Sequence, residues 1–235
     1  MSVVLVTGTG TDIGKTISTA ALAAYLSKAG REVHVVKPIQ TGFPGPSGGD
    51  LDTVAELTGM GNLHGFERYP EPMAPVAAAH RAGMALPSVE EIAEKIRRID
   101  EAGADASGNN NRVVLVEGAG GLLVRLGEDW AMPELAAHLP GHQMVVVTRL
   151  DLGCLNEAEL TVEVARGRGV NVTGLIGGSL PEDRDPIIET NLEELPRVTG
   201  LPLLGSVAAG AGKLPREEFL AAVPSWFDAS AESLF

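Results

Sequence analysis

The sequence predicts an α/β fold with a mostly parallel central sheet flanked by helices in three layers. Short β-branched runs alternate with longer helical segments along the 235 residues. Two of those runs, residues 113–116 (Val-Val-Leu-Val) and 144–147 (Met-Val-Val-Val), are apolar at every position, as strands covered on both faces require. A glycine-rich turn joins the first run to the first helical segment, at residues 8–16.

The elements follow in order. Residues 3–6 form the first strand, and residues 15–28 a helix that stops at Gly30. Residues 32–36 read as the second strand, and residues 38–49 as a loop dense in Gly and Pro. Residues 50–57 look helical and end at Gly59. Ser88 opens the next helix with capping-box spacing to Glu91, followed by Ile92, Ile96 and Ile99. Residues 103–111 are a low-complexity solvated loop. Helices over 157–168, 187–195 and 217–227 and a strand over 172–176 complete the pattern. No internal repeat interrupts it, so residues 1–235 are read as one domain.

Composition narrows the function. Eighteen Lys and Arg against 31 Asp and Glu leave a net charge of −13, which weighs against a nucleic-acid groove or an anionic membrane surface. One cysteine, Cys154, excludes an internal disulfide and a Cys-based zinc site. No apolar run reaches the ~18 residues that span a bilayer, and no basic leader precedes residue 3, so the expected location is cytoplasmic. The five histidines show no metal spacing.

The strongest chemical signal is Gly8-Thr9-Gly10-Thr11-Asp12-Ile13-Gly14-Lys15-Thr16. A glycine-rich strand-to-helix turn points backbone N–H groups at phosphate oxygens, and the helix N-terminus adds its dipole. Lys15 can reach the β- and γ-phosphates, and the Thr16 hydroxyl can ligate Mg²⁺. Gly8 stands one residue further from Gly14 than the usual spacing, and Thr9 holds the usual glycine position. The fold expected is therefore P-loop NTPase-like. Partition and cell-division switch ATPases carry a second lysine where this chain has Gly10. That weakens a switch ATPase acting through protein partners, the alternative reading, and favours a metabolic enzyme.

Three further segments follow strands: Lys37-Pro38-Ile39-Gln40-Thr41-Gly42, Val116-Glu117-Gly118-Ala119-Gly120-Gly121 and Asp151-Leu152-Gly153-Cys154-Leu155-Asn156. With the phosphate loop, in this order, they closely resemble the dethiobiotin synthetase family over about residues 1–180. The resemblance implies an ATP-dependent cyclo-ligase of biotin biosynthesis, with 7,8-diaminononanoate, CO₂ and ATP as substrates. It implies Mg²⁺ and a homodimer with substrate near the interface, and neither nucleic acid nor membrane as partner. The implied chemistry passes through a carbamate and a carbamic–phosphoric anhydride.

Site residues follow from the same resemblance. Lys15 would neutralise the γ-phosphate and Lys37 would hold the carbamate; these are the expected catalytic residues. Asp12, Ile13, Gly14, Lys15, Thr16, Ile17, Glu117, Gly178 and Ser179 are expected to bind nucleotide. Thr11, Lys37, Thr41, Gly118, Ala119 and Gly120 would face substrate, the glycines offering free N–H groups. Gly153, Cys154, Leu155 and Asn156 would hold the substrate carboxylate across the dimer, with Cys154 a packing residue. Thr16, Glu117 and Asp50 are the expected metal ligands, with Asp52 the alternative to Asp50. Residues 69–75 resemble a substrate-side loop. One departure stands out. The family often reads adenine with an Asn-Asp pair, and here Gly177-Gly178-Ser179 stand in its place. Base selectivity is therefore expected to be relaxed, with backbone groups of residues 177–180 and 206–211 bounding the base.

Overall fold

The computed structural model describes residues 3–42, 45, 48–103, 111–228 and 231. Seven strands form one sheet: β1 (Val3–Gly8), β2 (Glu32–Thr41), β3 (Leu63–Tyr69), β4 (Arg112–Glu117), β5 (Gln143–Thr148), β6 (Val172–Leu180) and β7 (Leu203–Ala208). Their order is β3-β2-β4-β1-β5-β6-β7, and neighbouring strands run parallel. Among the described residues eight α-helices accompany them, the first seven between strands and the last after β7: α1 (Lys15–Lys28), α2 (Asp50–Thr58), α3 (Pro75–Ala82), α4 (Val89–Glu101), α5 (Met132–Ala137), α6 (Cys154–Gly167), α7 (Pro186–Thr199) and α8 (Arg216–Ala222).

The three layers arise from strand alternation. In β1, Val3 and Leu5 face one core while Val4 and Val6 face the other. The first core takes its helical cover from α3, α4, α5, α6 and α7, through residues such as Ile92, Ile96, Leu135, Val162 and Leu195. The second takes it from α1, α2 and α8, through Leu22, Leu26, Val54 and Phe219. Each such Leu or Ile stabilises the fold by about 1.5–3 kcal/mol over its exposed state. The chain runs from β1 outward to β2 and β3, returns to β4 beside β1, then crosses to β5 on the other side. The C-terminal ends of β1, β4 and β5 therefore flank the point where the winding reverses, the place where open α/β sheets bind ligands.

Several expectations need correction. The loop expected from residue 38 begins only after Thr41, because β2 continues through Pro38, Ile39 and Gln40. Pairing of β2 with β4 stops at Val36–Val116, so Pro38 lies where the strand has a partner on one side only. A missing N–H is tolerated there. Strands β3 and β7 escaped notice: they are the two sheet edges and lack continuous apolar runs. Helices α3 and α5 are short and likewise went unread. The second part of the 69–75 segment opens α3 at Pro75. Strand β6 extends four residues past Ile176, and α6 begins at Cys154 rather than at residue 157. The last helix ends at Ala222, a 3₁₀ turn follows over Val223–Ser225, and Pro224 is the reason it cannot continue.

The capping box at Ser88 is present, with Glu91 N–H donating to Ser88 Oγ at 3.2 Å and Ser88 N–H to Glu91 Oε2 at 2.9 Å. Most of the low-complexity stretch lies outside the described residues. Among the described residues no helix is long and apolar enough to cross a membrane.

Candidate active site

The phosphate loop spans the end of β1 to the start of α1. Thr9 N–H donates to Val147 O of β5 at 3.0 Å, and Leu122 N–H to Gly8 O at 3.2 Å, so β5 and the loop after β4 hold it from both sides. Asp12 has φ +55° and Gly14 φ +92°, a left-handed pair that turns the chain into the helix. Lys15 is buried and donates from Nζ to Gly10 O at 2.6 Å. Burial pushes its pKa down and the nearby Lys37 adds to this, more than Glu117 and Asp50 restore.

Lys37 and Glu117 stand side by side because β2 and β4 pair up to Val36–Val116. The Lys37 ammonium donates to Glu117 Oε1 at 2.7 Å and to Gly118 O at 2.9 Å. It also forms an ion pair with Asp50 Oδ2, at the start of α2. Both Lys37 and Glu117 are almost wholly enclosed, at 3% and 2% exposure. Burial alone would lower the Lys37 pKa, but the two carboxylates outweigh it and hold the ammonium above its ordinary value. Burial pushes Asp50 up, and Lys37 overrides this, holding its carboxyl below the usual range. Thr16 Oγ1 donates to the same Glu117 oxygen at 3.0 Å. Three oxygen-bearing side chains, Thr16, Asp50 and Glu117, thus gather around one ammonium. Among the described residues, no group of three or more His, Cys, Asp or Glu is arranged to hold a metal. Two carboxylates and a hydroxyl are a hard, incomplete donor set. It suits Mg²⁺, which keeps water and phosphate oxygens as its other ligands.

These groups line a cavity of about 530 Å³, together with Thr11, Thr41, Ala119 and Gly120. A second cavity of about 500 Å³ shares Asp12, Gly14 and Ile17 with it. Gly178 and Ser179 of β6 and residues 208–212, from the last residue of β7 onward, close its far side. The phosphate loop therefore sits between a charged pocket and a more apolar one. Arg149, Pro181 and Ile188 also line the second pocket and went unread, since nothing in their local sequence marks them.

The glycine at 178 has a steric cause. A Cβ there would lie 1.8 Å from Ile13 O, and one on Gly14 would lie 2.3 Å from Gly178 O. Strand β6 abuts the phosphate loop backbone to backbone. Two expected positions differ from the reading. Gly118 N–H is not free: it donates to Val6 O at 3.0 Å, and the residue serves Lys37 through its carbonyl. Gly153, Cys154, Leu155 and Asn156 line neither of these two pockets. Cys154 is buried in the core, and burial, helped by Asp151 and Glu157, pushes its thiol up to about 11, the state of an inert packing residue.

Comparison with known proteins decides the family. An ATP-dependent dethiobiotin synthetase of Corynebacterium kroppenstedtii is 48% identical over 97% of this chain and 94% of its own length. The chain belongs to the dethiobiotin synthetase family. The synthetase of Corynebacterium diphtheriae is 49% identical over 93% of this chain and 94% of its own. That of Rhodococcus jostii is 44% identical over 98% and 96%. A family described as AAA domain matches residues 2–210. Among solved structures, the MinD cell division protein of Aquifex aeolicus gives a TM-score of 0.55 at 12% identity, over 96% of both chains. A ParA family ATPase of Chlorobium tepidum gives 0.54 at 16%, over 98% of this chain and 94% of its own. At such identities the likeness is one of fold, and the fold is that of P-loop ATPases.

Proposed function

We propose that this protein, an ATP-dependent ligase by its family, closes the ureido ring of dethiobiotin from 7,8-diaminononanoate and CO₂. The observation that carries the reading is the convergence of Lys15, Lys37, Thr16, Asp50 and Glu117 in one cavity beside the phosphate loop. In the first step one substrate amine attacks CO₂, loses a proton and becomes a carbamate. A carbamate oxygen then attacks the γ-phosphorus of ATP, the bond to the bridging oxygen breaks, and ADP leaves. The second amine attacks the carbonyl carbon of the resulting anhydride, expels phosphate, loses its proton and closes the ring.

Two anions must approach each other in the middle step, so positive charge on both sides matters more than a strong base. Lys15 faces the transferring phosphoryl group, where phosphate oxygens would replace Gly10 O as its partner. Lys37 faces the carbamate and exchanges its carboxylate partners for that anion. Thr16, Asp50 and Glu117 would hold Mg²⁺, which supplies charge neutralisation on the phosphate oxygens when bound. Thr11, Thr41, Ala119 and Gly120 border the space left for the diamine.

The carboxylate end of the diamine is assigned to residues 153–156 of a second copy. The N–H groups at the start of α6 suit a carboxylate. Leu123 at 44% and Leu160 at 55% exposure line one groove, and Leu152, just ahead of α6, is 81% exposed; a second copy would cover them. Sedimentation of the protein checks the dimer, and a monomer at assay concentration counts against it. The reaction itself is checked by phosphate release from Mg-ATP and bicarbonate, with and without diamine. Release that ignores the diamine removes the ligase reading.

A further inference from the structure

The carboxylate of Asp50 is useful only if α2 begins at the right place, and its own sequence gives it little help. The N-cap residue is Gly49, at φ +116°, which has no side chain to cap the first turn. A Ser, Asp or Asn there would meet the N–H of the second or third helical residue; the N–H of the first, Asp50, is met from another element. Gln40 Oε1, on β2, accepts the Asp50 N–H at 2.9 Å. The Gln40 amide is itself fixed, being 8% exposed and donating from Nε2 to Thr41 O at 3.1 Å. Glycine at 49 suits this contact: its φ favours glycine, and a Cβ on it would lie 2.9 Å from Gln40 Oε1, pressing on the acceptor. The cross-strand partner of Gln40 in β3 is Arg68, whose Nη2 donates to Gly48 O. Two neighbouring side chains on adjacent strands therefore grip the turn at Gly48 and at Asp50, directly before the acid that meets Lys37.

We propose that Gln40 is a positioning residue, which docks the start of α2 on β2 and so aims the Asp50 carboxylate at the cation bound with the nucleotide. The inference rests on Asp50 being a metal ligand, as the proposed function has it. Partners of this kind, one shell out from a metal, commonly set affinity by about 10–100-fold.

The test uses Mn²⁺ as the probe, its binding to the protein–ATP complex followed by electron paramagnetic resonance, with no turnover needed. Gln40→Met keeps the volume and removes the acceptor. Its Mn²⁺ affinity is expected to fall about tenfold or more, while ATP affinity in EDTA stays within about twofold and the metal-free melting temperature stays near wild type. Gln40→Glu restores an acceptor and is expected to recover most of the affinity. Asp50→Asn is measured beside them. If Asp50→Asn weakens Mn²⁺ binding and Gln40→Met does not, the positioning role is overturned and the ligand reading stands. If Asp50→Asn has no effect, the ligand reading falls, and the role of Gln40 falls with it. A Gln40→Met protein that melts lower but binds Mn²⁺ normally shows a merely structural tether and also overturns the proposal.

Discussion

Lys37 Nζ lies 2.7 Å from Glu117 Oε1 because β2 and β4 are in register up to the preceding residues, Val36 and Val116. Removing the lysine leaves an enclosed carboxylate without its main counter-charge. Lys37→Ala is expected to destabilise the metal-free fold by about 3–5 kcal/mol. The double substitution Lys37→Ala with Glu117→Gln is expected to regain part of that, since the enclosed Glu117 charge is gone and the carboxylate left without Lys37 is the more exposed Asp50. Urea unfolding of the two variants checks it; equal losses in both would mean that the pair is not a buried ion pair in solution. In turnover, Lys37→Ala is expected to lose about 10²–10³-fold in kcat with a far smaller change in ATP affinity. Equal losses in both would argue against a role in transfer.

Thr16 Oγ1 shares the Glu117 oxygen with Lys37, at 3.0 Å. Thr16→Val is nearly isosteric and removes that hydroxyl alone. It is expected to raise the Mg²⁺ concentration needed for half-maximal nucleotide binding by about tenfold or more. Calorimetric titrations of ATP at graded Mg²⁺ read this directly, and an unchanged dependence contradicts its assignment as ligand.

The contact of Gly178 with the phosphate loop leaves no room for a side chain. Gly178→Ala is expected to cost at least the roughly 1–3 kcal/mol of an overpacked core site and to weaken every nucleotide alike. Gly178→Asn, the residue that the family resemblance implies there, is expected to do worse rather than to sharpen the choice of base. Melting curves and binding of ATP, GTP and CTP to both variants check this. An Asn variant that is stable and gains preference for ATP refutes the steric account. The unsubstituted protein is expected to discriminate weakly among the three bases, and a strong preference for ATP alone counts against that.

At the opposite end of the strands, His34 Nδ1 meets His64 Nε2 at 2.9 Å, and His34 Nε2 meets Glu32 Oε1 at 3.1 Å. Burial, then the charges of His34 and Arg112, hold the His64 imidazole below its ordinary value of 6.5. The unfolded chain therefore takes up a proton near that pH that the folded chain accepts only at lower pH. The unfolding free energy should fall as pH drops through this window, and this group contributes no slope above it. His64→Asn is expected to flatten that limb. Denaturation midpoints between about pH 7.5 and about pH 5 measure it, and an unchanged slope in the variant excludes His64 as the cause.

Much of the architecture was legible because buried parallel strands must be apolar at every position, as residues 113–116 and 144–147 are. The phosphate loop was legible because phosphate binding needs glycine, lysine and threonine at set spacing in one short segment. Edge strands β3 and β7 were not, since one-sided pairing relaxes the demand for apolar residues, and β3 carries Glu67 and Arg68.

What the local sequence determined, then, is everything that a run of neighbouring residues can encode: the covered strands, the capping box at Ser88, the phosphate loop, and the lysine and glutamate that each follow an apolar run. What only the tertiary structure decided depends on which strands lie side by side. The β2–β4 register joined Lys37 to Glu117, the return of α2 brought Asp50 rather than Asp52 onto the Lys37 ammonium, and the approach of β6 to the loop explained Gly178. Such contacts are set by how the two cores pack against the sheet, and positions 80 residues apart carry no mark of one another until that packing is complete.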